Sequence, residues 1–271
     1  MSRQPRLECN TETDCARPTP IQGGGSEQQS QGTLESTFAN PNMLNQPSVK
    51  STQASDWDTH WKSLDSDRRI FSFLSLATRR LIFEPTVAFY TRRFFPPKGV
   101  FVEMGCGTAE SSAKVDRRER KLIGLDFSEV ALRAAQNARR MDGLLQADMF
   151  ATPCRANSID GIWNLGVMEH FTDPQLRTCL REFRRVLRPG GILLLFWPAE
   201  NNASRWVLGP PERLIRWRRG TEFTFFPGEV SRLRSKHQAR LLLASEGFSV
   251  KTIEFNWRTA FIHMVIAATA E

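Results

Sequence analysis

The sequence predicts an α/β fold in which parallel strands alternate with helices. From Lys98 to the C-terminus, short apolar segments with strand character alternate with amphipathic segments of helical periodicity. Glycines and acidic residues also follow directly after the predicted strands, which is where open parallel sheets bind their ligands. We therefore expect residues 98–271 to form one α/β domain that carries its site at the carboxyl ends of the strands.

Seven segments are predicted as strands because they are short, apolar and bounded by turn or helix signals. The first five are Val100–Val102, Leu122–Leu125, Leu144–Leu145, Ile159–Leu165 and Ile192–Trp197. The last two lie near Val250–Phe255 and Phe261–Ala268, close enough in sequence to form an antiparallel hairpin.

Helices are predicted between these strands from apolar periodicity and capping residues. The sequence favours a helix over Ala109–Arg118 and another that begins at the N-cap Ser128 and runs to about Arg140. Asp173-Pro174 predicts a third helix start, and the segment from Arg188 to Gly191 should end that helix and turn into a strand. A fourth helix is expected over Glu229–Glu246.

The N-terminal part of the chain divides into two regions. Residues 1–55 are rich in Gln, Ser, Gly and Pro and contain neither Trp nor Tyr, so we expect a disordered tail. Residues 56–97 contain apolar residues at helical spacing and are predicted to form a helical cover. Pro85 should interrupt its helices, and Pro96-Pro97 should end them.

Composition excludes several classes of protein. The longest apolar run, Ile192–Trp197, is far shorter than the ~20 residues of a membrane-spanning helix, and no apolar leader follows Met1. The five cysteines form no CxxC pair, which argues against a zinc site or a disulfide framework. We expect a soluble cytoplasmic protein without a bound metal. The net charge of +8 is concentrated in part within residues 201–245, which suits an acidic partner; a solvated charged face is the alternative.

Acidic residues follow three neighbouring predicted strands. Glu103, Asp126 and Asp148 each come directly after a strand, and Gly105-Cys106-Gly107 allows a ligand to approach the backbone closely. Asp126 lies about 20 residues beyond the glycines, the spacing at which an acid binds the ribose in dinucleotide folds. Glu110 stands where that fingerprint requires Gly or Ala beside a pyrophosphate. These charges favour a cationic adenosine cofactor over a nicotinamide dinucleotide.

The pattern resembles the class I S-adenosylmethionine-dependent methyltransferases. Five segments carry the resemblance, in the order and at the spacing of the family: Val100–Thr108, Leu122–Ser128, Ala147–Met149, Ser158–Phe171 and Leu187–Gly191. Ala109 departs from the family, which often has a third glycine there. The resemblance implies a Rossmann-like seven-stranded sheet with its last strand antiparallel and helices on both faces, and S-adenosyl-L-methionine as the cofactor.

The same resemblance assigns roles to individual residues. Glu103 would meet the methionine end of the cofactor, Asp126 both ribose hydroxyls, and Asp148 the adenine amino group. The full set of cofactor-binding positions that it implies is Glu103, Gly105, Cys106, Gly107, Asp126, Phe127, Asp148, Met149 and Leu165.

Two residues after the fourth strand are candidates for catalysis. Glu169 and His170 would lie near the transferred methyl group, where a histidine can act as a general base near neutral pH. Because a Glu-His pair is common in the family among enzymes of varied chemistry, a structural or orienting role is the alternative. His263, on the last predicted strand, is expected to pack in the core.

Absences and one insert define the predicted acceptor. The segment after the fourth strand, Trp163–Gly166, lacks the Asn/Asp-Pro-Pro-aromatic motif of base methylases, which argues against nucleic acid. Residues 202–228 interleave aromatic residues with arginines, which suits a small or lipid-like, anionic acceptor and contact with a membrane surface. An ordinary cap helix with a charged outer face is the alternative for this insert. The alternatives are an RNA or protein methyltransferase, suggested by the same basic insert, and an inactive cofactor-binding scaffold that regulates a partner.

Overall fold

The computed structural model describes residues 78–200, 202 and 230–271. The predicted tail over residues 1–55, the first part of the helical cover and nearly all of the insert over 202–228 lie outside the described residues. None of the helices within those described ranges is long and apolar enough to cross a membrane.

Seven strands form one sheet in the order β3-β2-β1-β4-β5-β7-β6. The strands are β1 (Lys98–Met104), β2 (Glu119–Asp126), β3 (Gly143–Gln146), β4 (Ile159–Leu165), β5 (Leu187–Pro198), β6 (Phe248–Glu254) and β7 (His263–Ala270). Strands β1 to β5 pair in parallel, and β7 is antiparallel to both of its neighbours, β5 and β6. The predicted fold class, including the antiparallel last strand and the final hairpin, is confirmed.

Helices cover both faces of the sheet. The described helices are α1 (Glu84–Phe94), α2 (Glu129–Ala138), α3 (Asp173–Val186) and α4 (Lys236–Ser245). Val87 and Tyr90 of α1 pack in the apolar cluster on one face, whereas Phe183 of α3 and Leu243 of α4 belong to the cluster on the other face. This arrangement agrees with the prediction of helices on both faces.

Alternation along the central strands builds the two apolar clusters. Val100 and Val102 of β1 point to the cluster that contains α3, and Phe101 between them points to the cluster that contains α1. In β4, Ile162 and Trp163 divide between the two clusters in the same way. Because both faces are buried, these strands are nearly continuous apolar runs, which is why the sequence predicts them well.

The helix predicted over Ala109–Arg118 is wrong. A single 3-10 turn over Glu110–Ser112 stands in its place. Ala109 has φ of 54°, in the left-handed region, and this conformation prevents a regular helix from starting there. The hydroxyls of Ser111 and Ser112 bind the Glu103 carboxylate, so the turn is fixed by a side chain of β1 rather than by helical hydrogen bonds.

Pro85 does not break the helical cover. A π-helical turn over Arg79–Phe83 continues directly into α1, in which Pro85 is the second residue. The backbone N–H of Glu84 donates to the C=O of Arg79, five residues back. Because proline has no N–H and its ring collides with the carbonyl four residues earlier, the wider turn accommodates Pro85 without an interruption.

Three predicted ends of helices or strands differ from the observed ones. The helix predicted from Glu229 begins only at Lys236, because Ser235 caps it and Leu233 instead bridges to Ala199 beside β5. The N-cap of α3 is Thr172 rather than Asp173, and its N–H donates to the side chain of Gln175 at 2.9 Å. Strand β5 starts at Leu187, which pairs with Ile159, so the expected turn over residues 188–191 lies within the strand.

Candidate active site

The glycine loop after β1 is held against the end of β2. The backbone N–H groups of Gly105 and Cys106 both donate to the C=O of Leu125, at 2.8 and 3.0 Å. Gly105 has φ of +74°, and a Cβ there would lie 2.7 Å from the side chain of Val167. A glycine is therefore required at this position both by conformation and by space.

Asp126, the last residue of β2, joins this loop to the start of α2. Its buried carboxylate accepts from the N–H of Gly107 at 2.8 Å and from the N–H of Ser128 at 2.9 Å. Ser128 in turn caps α2, since its side chain accepts from the N–H of Ala131 at 3.2 Å. The predicted cap is confirmed, and the acid predicted to bind ribose lies between the two turns.

Glu103 lies behind the glycine loop, in the interior. Its two carboxylate oxygens accept from the hydroxyls of Ser111 and Ser112 at 2.8 and 2.6 Å. Burial raises the pKa of Glu103 from 4.5 to about 7, against the opposing effects of Ser112, Ser111 and the Trp163 indole. The negative charge of Asp126 also raises the pKa of Glu103, so the structure brings these two predicted acids together.

The thiol of Cys106 is buried beside β2. A Cβ built on Gly124 of β2 would lie 2.8 Å from the sulfur of Cys106, so the thiol packs against that strand. Burial raises the pKa of the thiol, with smaller contributions from the charges of Glu103 and Asp126. Any contact of Cys106 with a ligand would therefore be made through its main chain rather than through the thiolate.

The third acid is exposed at the same edge. Asp148 follows β3, and its carboxylate accepts from the N–H of Phe150 at 2.9 Å. The neighbouring Met149 is buried, and its methyl group lies 3.2 Å from the position of a Cβ on Gly105. Phe127 is half-buried after β2, and its C=O accepts from the side chain of Gln146 at 3.2 Å.

The loop after β4 separates the two candidate catalytic residues by burial. Glu169 is buried, and its backbone C=O accepts from the N–H groups of Val230 and Ser231 at 2.7 and 2.9 Å. His170 ends the same 3-10 turn and is half-buried. Leu165, at the end of β4, is also half-buried. Glu169 thus connects the turn to the segment before α4, while His170 remains partly exposed.

Three contacts of this site are not predicted from the sequence. Ser111 and Ser112 bind Glu103, and Arg79 forms an ion pair with Glu110 at 2.7 Å. The position of the two serines directly after the glycine loop could have indicated their contact with Glu103. It was missed because a helix was predicted there. The ion pair joins residues 31 positions apart, which periodicity alone does not bring together.

His263 is buried, as the sequence predicts for a core histidine. It begins β7 beside the end of β5, where its ring packs edge-on against Phe83 at 5.1 Å between centroids. Burial, and then the charge of Arg232, lower the pKa of His263 to about 3, so the imidazole is neutral at physiological pH. Among the residues that the structure describes, no cluster of three or more His, Cys, Asp or Glu is arranged to hold a metal ion.

Comparison with known proteins shows what the part of the chain that forms this edge of the sheet is similar to. Residues 102–195 match the family model of a methyltransferase domain. A mouse protein named probable tRNA methyltransferase 9B is 30% identical over 125 residues, which are 45% of this chain and 27% of the mouse protein. The trans-aconitate 2-methyltransferase of Azoarcus sp. is 33% identical over 117 residues, which are 42% of this chain and 43% of that enzyme.

Solved structures share the fold. The magnesium protoporphyrin IX methyltransferase of Synechocystis, solved with bound SAH, superposes with a TM-score of 0.59 at 16% identity and covers 82% of this chain and 98% of its own. The chain spans less than half of the length of the two curated relatives named above. In its matched domain and its seven-stranded sheet, the chain is thus similar to S-adenosylmethionine-dependent methyltransferases.

Proposed function

We propose that this chain transfers a methyl group from S-adenosylmethionine to a small or lipid-like acceptor. The observation that carries the proposal is the position of three acids, Glu103, Asp126 and Asp148, at the carboxyl ends of three neighbouring strands. A cationic adenosine cofactor suits these charges, whereas a diphosphate is repelled by them. The family match over residues 102–195 supports the same cofactor.

The adenosine half of the cofactor would lie over β2 and β3. Asp126 would bind both ribose hydroxyls, since the turns that hold its carboxylate fix the direction of its oxygens. Asp148, exposed after β3, would accept from the adenine amino group, and the N–H of Met149 would donate to the ring. Phe127 would pack beside the adenine.

The methionine half would lie over β1 and β4. The backbone of Gly105 and Gly107 would approach it, and Leu165 would contact the part near the sulfonium. Glu103 is held by Ser111 and Ser112 on the inner side of this loop, where its ionised form would attract the cofactor's ammonium group. Because burial holds its pKa near 7, Glu103 would release its proton when the cofactor binds.

The bound cofactor supplies an electrophilic methyl group on a sulfonium, and its transfer leaves a neutral thioether. The contribution of the chain is to align the acceptor with that methyl group and, where the acceptor carries a proton, to remove it. His170 is the proposed base because it is half-buried at the mouth of β4. Glu169 would position it, since its main chain fixes the turn against the segment before α4.

Apolar residues near the carboxyl ends of β4 and β5 and the start of β7 suit an acceptor with an apolar body. Phe83 packs against the neutral imidazole of His263, and both Phe83 and Leu165 are half-buried and apolar. The insert over residues 202–228, with its arginines and aromatic residues, would complete this side and bind an anionic group or a membrane surface. The helices of residues 56–97 would cover the site.

RNA is the second candidate acceptor. The prediction that nucleic acid is not the acceptor gains no support from the comparisons. The relatives include proteins named as tRNA methyltransferases as well as the trans-aconitate 2-methyltransferase. The basic insert would serve an RNA acceptor equally well. A protein methyltransferase and an inactive cofactor-binding scaffold remain the further alternatives.

The acceptor class can be identified by following the label. The full-length chain is incubated with methyl-labelled cofactor and with separate lipid, small-molecule, RNA and protein fractions of a cell extract. We expect label in the lipid or small-molecule fraction, and its loss with Asp126→Asn. Label in RNA or protein would establish that alternative instead. Tight cofactor binding without label in any fraction would favour the scaffold.

A further inference from the structure

A group of apolar side chains stands exposed where the hairpin of β6 and β7 meets the start of α1. Leu81 is 77% exposed, Trp257 70% and Phe261 47%. The π-helical turn that carries Leu81 packs against the 3-10 turn that begins at Trp257. We refer to Leu81, Trp257, Arg258 and Phe261 together as the Trp257 surface. Large exposed apolar groups that cluster in this way are typical of binding surfaces.

The loop that displays Trp257 and Phe261 is held in a costly conformation. Ala260 and Phe261 both have left-handed φ, 49° and 54°, which non-glycine residues adopt only when their surroundings enforce it. The side chain of Asn256 accepts from the N–H of Arg258 at 3.0 Å. The hydroxyl of Thr86 donates to the C=O of Arg258 at 2.6 Å. These bonds fix the loop with its aromatic rings pointing outward.

A hydrogen-bond network under the loop anchors it to α1. The hydroxyl of Tyr90 donates to Glu254 at 2.7 Å and accepts from the side chain of Asn256 at 3.1 Å. Burial, followed by the bond to Glu254, raises the pKa of Tyr90 to about 12, so its hydroxyl stays protonated. The exposed rings therefore stand on a rigid base.

The Trp257 surface is positively charged as well as apolar. The guanidinium of Arg258 lies between two rings, 4.1 Å from the centroid of Phe89 and 4.6 Å from that of Trp257. Residues 79–94 and 254–262 contain five arginines and two glutamates. Glu254 pairs with Arg93 at 2.7 Å, and Glu84 pairs with Lys114 at 3.4 Å. Arg79 is also paired, with Glu110 at 2.7 Å. The charge left over attracts an anionic partner.

The Trp257 surface lies beside the cofactor edge of the sheet. Phe83, two residues beyond Leu81, contacts His263 at the end of β5. Arg79, two residues before Leu81, pairs with Glu110 in the turn whose serines hold Glu103. A partner bound to the Trp257 surface would thus be placed next to the site.

We propose that the Trp257 surface docks the protein on an anionic lipid bilayer. Leu81 offers only an aliphatic side chain, which neither pairs with phosphates nor stacks on bases but is stabilised in the acyl region of a membrane, where the ring of Phe261 can also be buried. Trp257 and the arginines suit the interface, where indole rings and basic side chains meet anionic headgroups. The docking adds a second contact to the one proposed for residues 202–228, and it would bring the enzyme to a lipid-like acceptor.

Vesicle sedimentation tests the docking without any methyl transfer, so it and the proposed function can fail separately. The full-length chain is mixed with phosphatidylcholine vesicles that contain either no phosphatidylglycerol or about 30 mol% of it. Three variants are compared: Leu81→Asn with Trp257→Ala, Arg258→Gln, and Leu241→Asn. Leu241 is the matched control, because it is 59% exposed but lies on α4, which packs on the other face of the sheet.

We expect the wild type to bind the anionic vesicles, less at high salt, and the double variant to bind roughly tenfold or more weakly. The Arg258 variant should lose part of the binding, and the Leu241 variant none. Absence of binding by the wild type would overturn the proposal. Equal binding by the double variant, or a loss of RNA binding rather than vesicle binding, would do so as well. Unchanged circular dichroism and thermal unfolding show that each variant is folded.

Discussion

The Asp126 carboxylate offers the sharpest test of the site, because it has two separable tasks. It holds the N–H groups of Gly107 and Ser128 at 2.8 and 2.9 Å, and it is proposed to bind the ribose hydroxyls. Asp126→Asn keeps the size and shape of the side chain but replaces one oxygen by an NH2 group. That NH2 group must then face a backbone N–H, donor against donor.

The magnitude of each effect follows from the bonds that are lost. One buried backbone N–H without an acceptor costs about 1–3 kcal/mol in the free energy of unfolding. The loss of charge-assisted hydrogen bonds to ribose costs about 1.5–3 kcal/mol of binding energy, which corresponds to a roughly 10- to 150-fold rise in the dissociation constant of the cofactor.

Asp142→Asn is the matched control. The Asp142 carboxylate also accepts from a backbone N–H, that of Leu122 at 2.8 Å, and it forms an ion pair with Arg117. It directly precedes β3 and therefore lies at the amino end of that strand, away from the edge of the sheet that is proposed to bind the cofactor. We expect this variant to lose less stability, because the one oxygen that Asn keeps can still accept from the N–H of Leu122, and to bind the cofactor like the wild type.

Urea denaturation measures the first effect, and calorimetric titration with S-adenosylhomocysteine measures the second. The predicted outcome is that only Asp126→Asn weakens binding, while both variants are destabilised. A dissociation constant for Asp126→Asn within about twofold of the wild type, in a folded protein, would refute the ribose assignment. Equal weakening by Asp142→Asn would mean that stability alone controls the affinity.

Two further predictions concern the remaining charged groups of the site. The pKa of Glu103 is about 7 in the folded chain and near 4.5 in the unfolded chain, so the folded chain keeps this proton to a higher pH. The free energy of unfolding of the wild type, relative to that of Glu103→Gln, should therefore fall by about 3 kcal/mol as the pH rises from 4.5 to 7. Above pH 7 the difference should stay level. Urea denaturation across this range checks it, and a flat difference would contradict it. His170→Ala should lower kcat by roughly 10²- to 10⁴-fold while cofactor affinity stays unchanged, and an unaltered kcat with the identified acceptor would remove His170 as the base.

The strands of the sheet could be predicted because burial on two faces leaves a strong sequence signal. The predicted bounds of β4, Ile159–Leu165, coincide with the observed ones, and Ser128 caps α2 as its residue type indicates. The acids at the strand ends could also be placed on one edge of the sheet, because the direction of parallel strands fixes where their carboxyl ends lie.

The turn after the glycine loop could not be predicted, because its conformation depends on a distant side chain. Serine favours caps and turns over helix interiors, but this preference is too weak to decide between a helix and a single 3-10 turn at Ser111 and Ser112. The Glu103 carboxylate stabilises the turn by binding both hydroxyls, and Ala109 before it adopts a left-handed conformation that does not start a helix. Local propensity cannot register such an interaction.

The polar network under the hairpin of β6 and β7 could not be predicted from the sequence either. Tyr90 and Glu254 are 164 residues apart in the chain, and only the packing of α1 against the end of the sheet brings them together. The exposure of Trp257 follows from that packing too, although its residue type alone would favour burial.

Calorimetric titration of the full-length protein with two ligands tests the central claim, that this acidic edge of the sheet selects a cationic adenosine cofactor, most directly. S-adenosylhomocysteine, which keeps the ammonium group and the ribose, should bind saturably, and NADH should give no binding heat. Saturable binding of NADH together with no heat from S-adenosylhomocysteine would contradict the account.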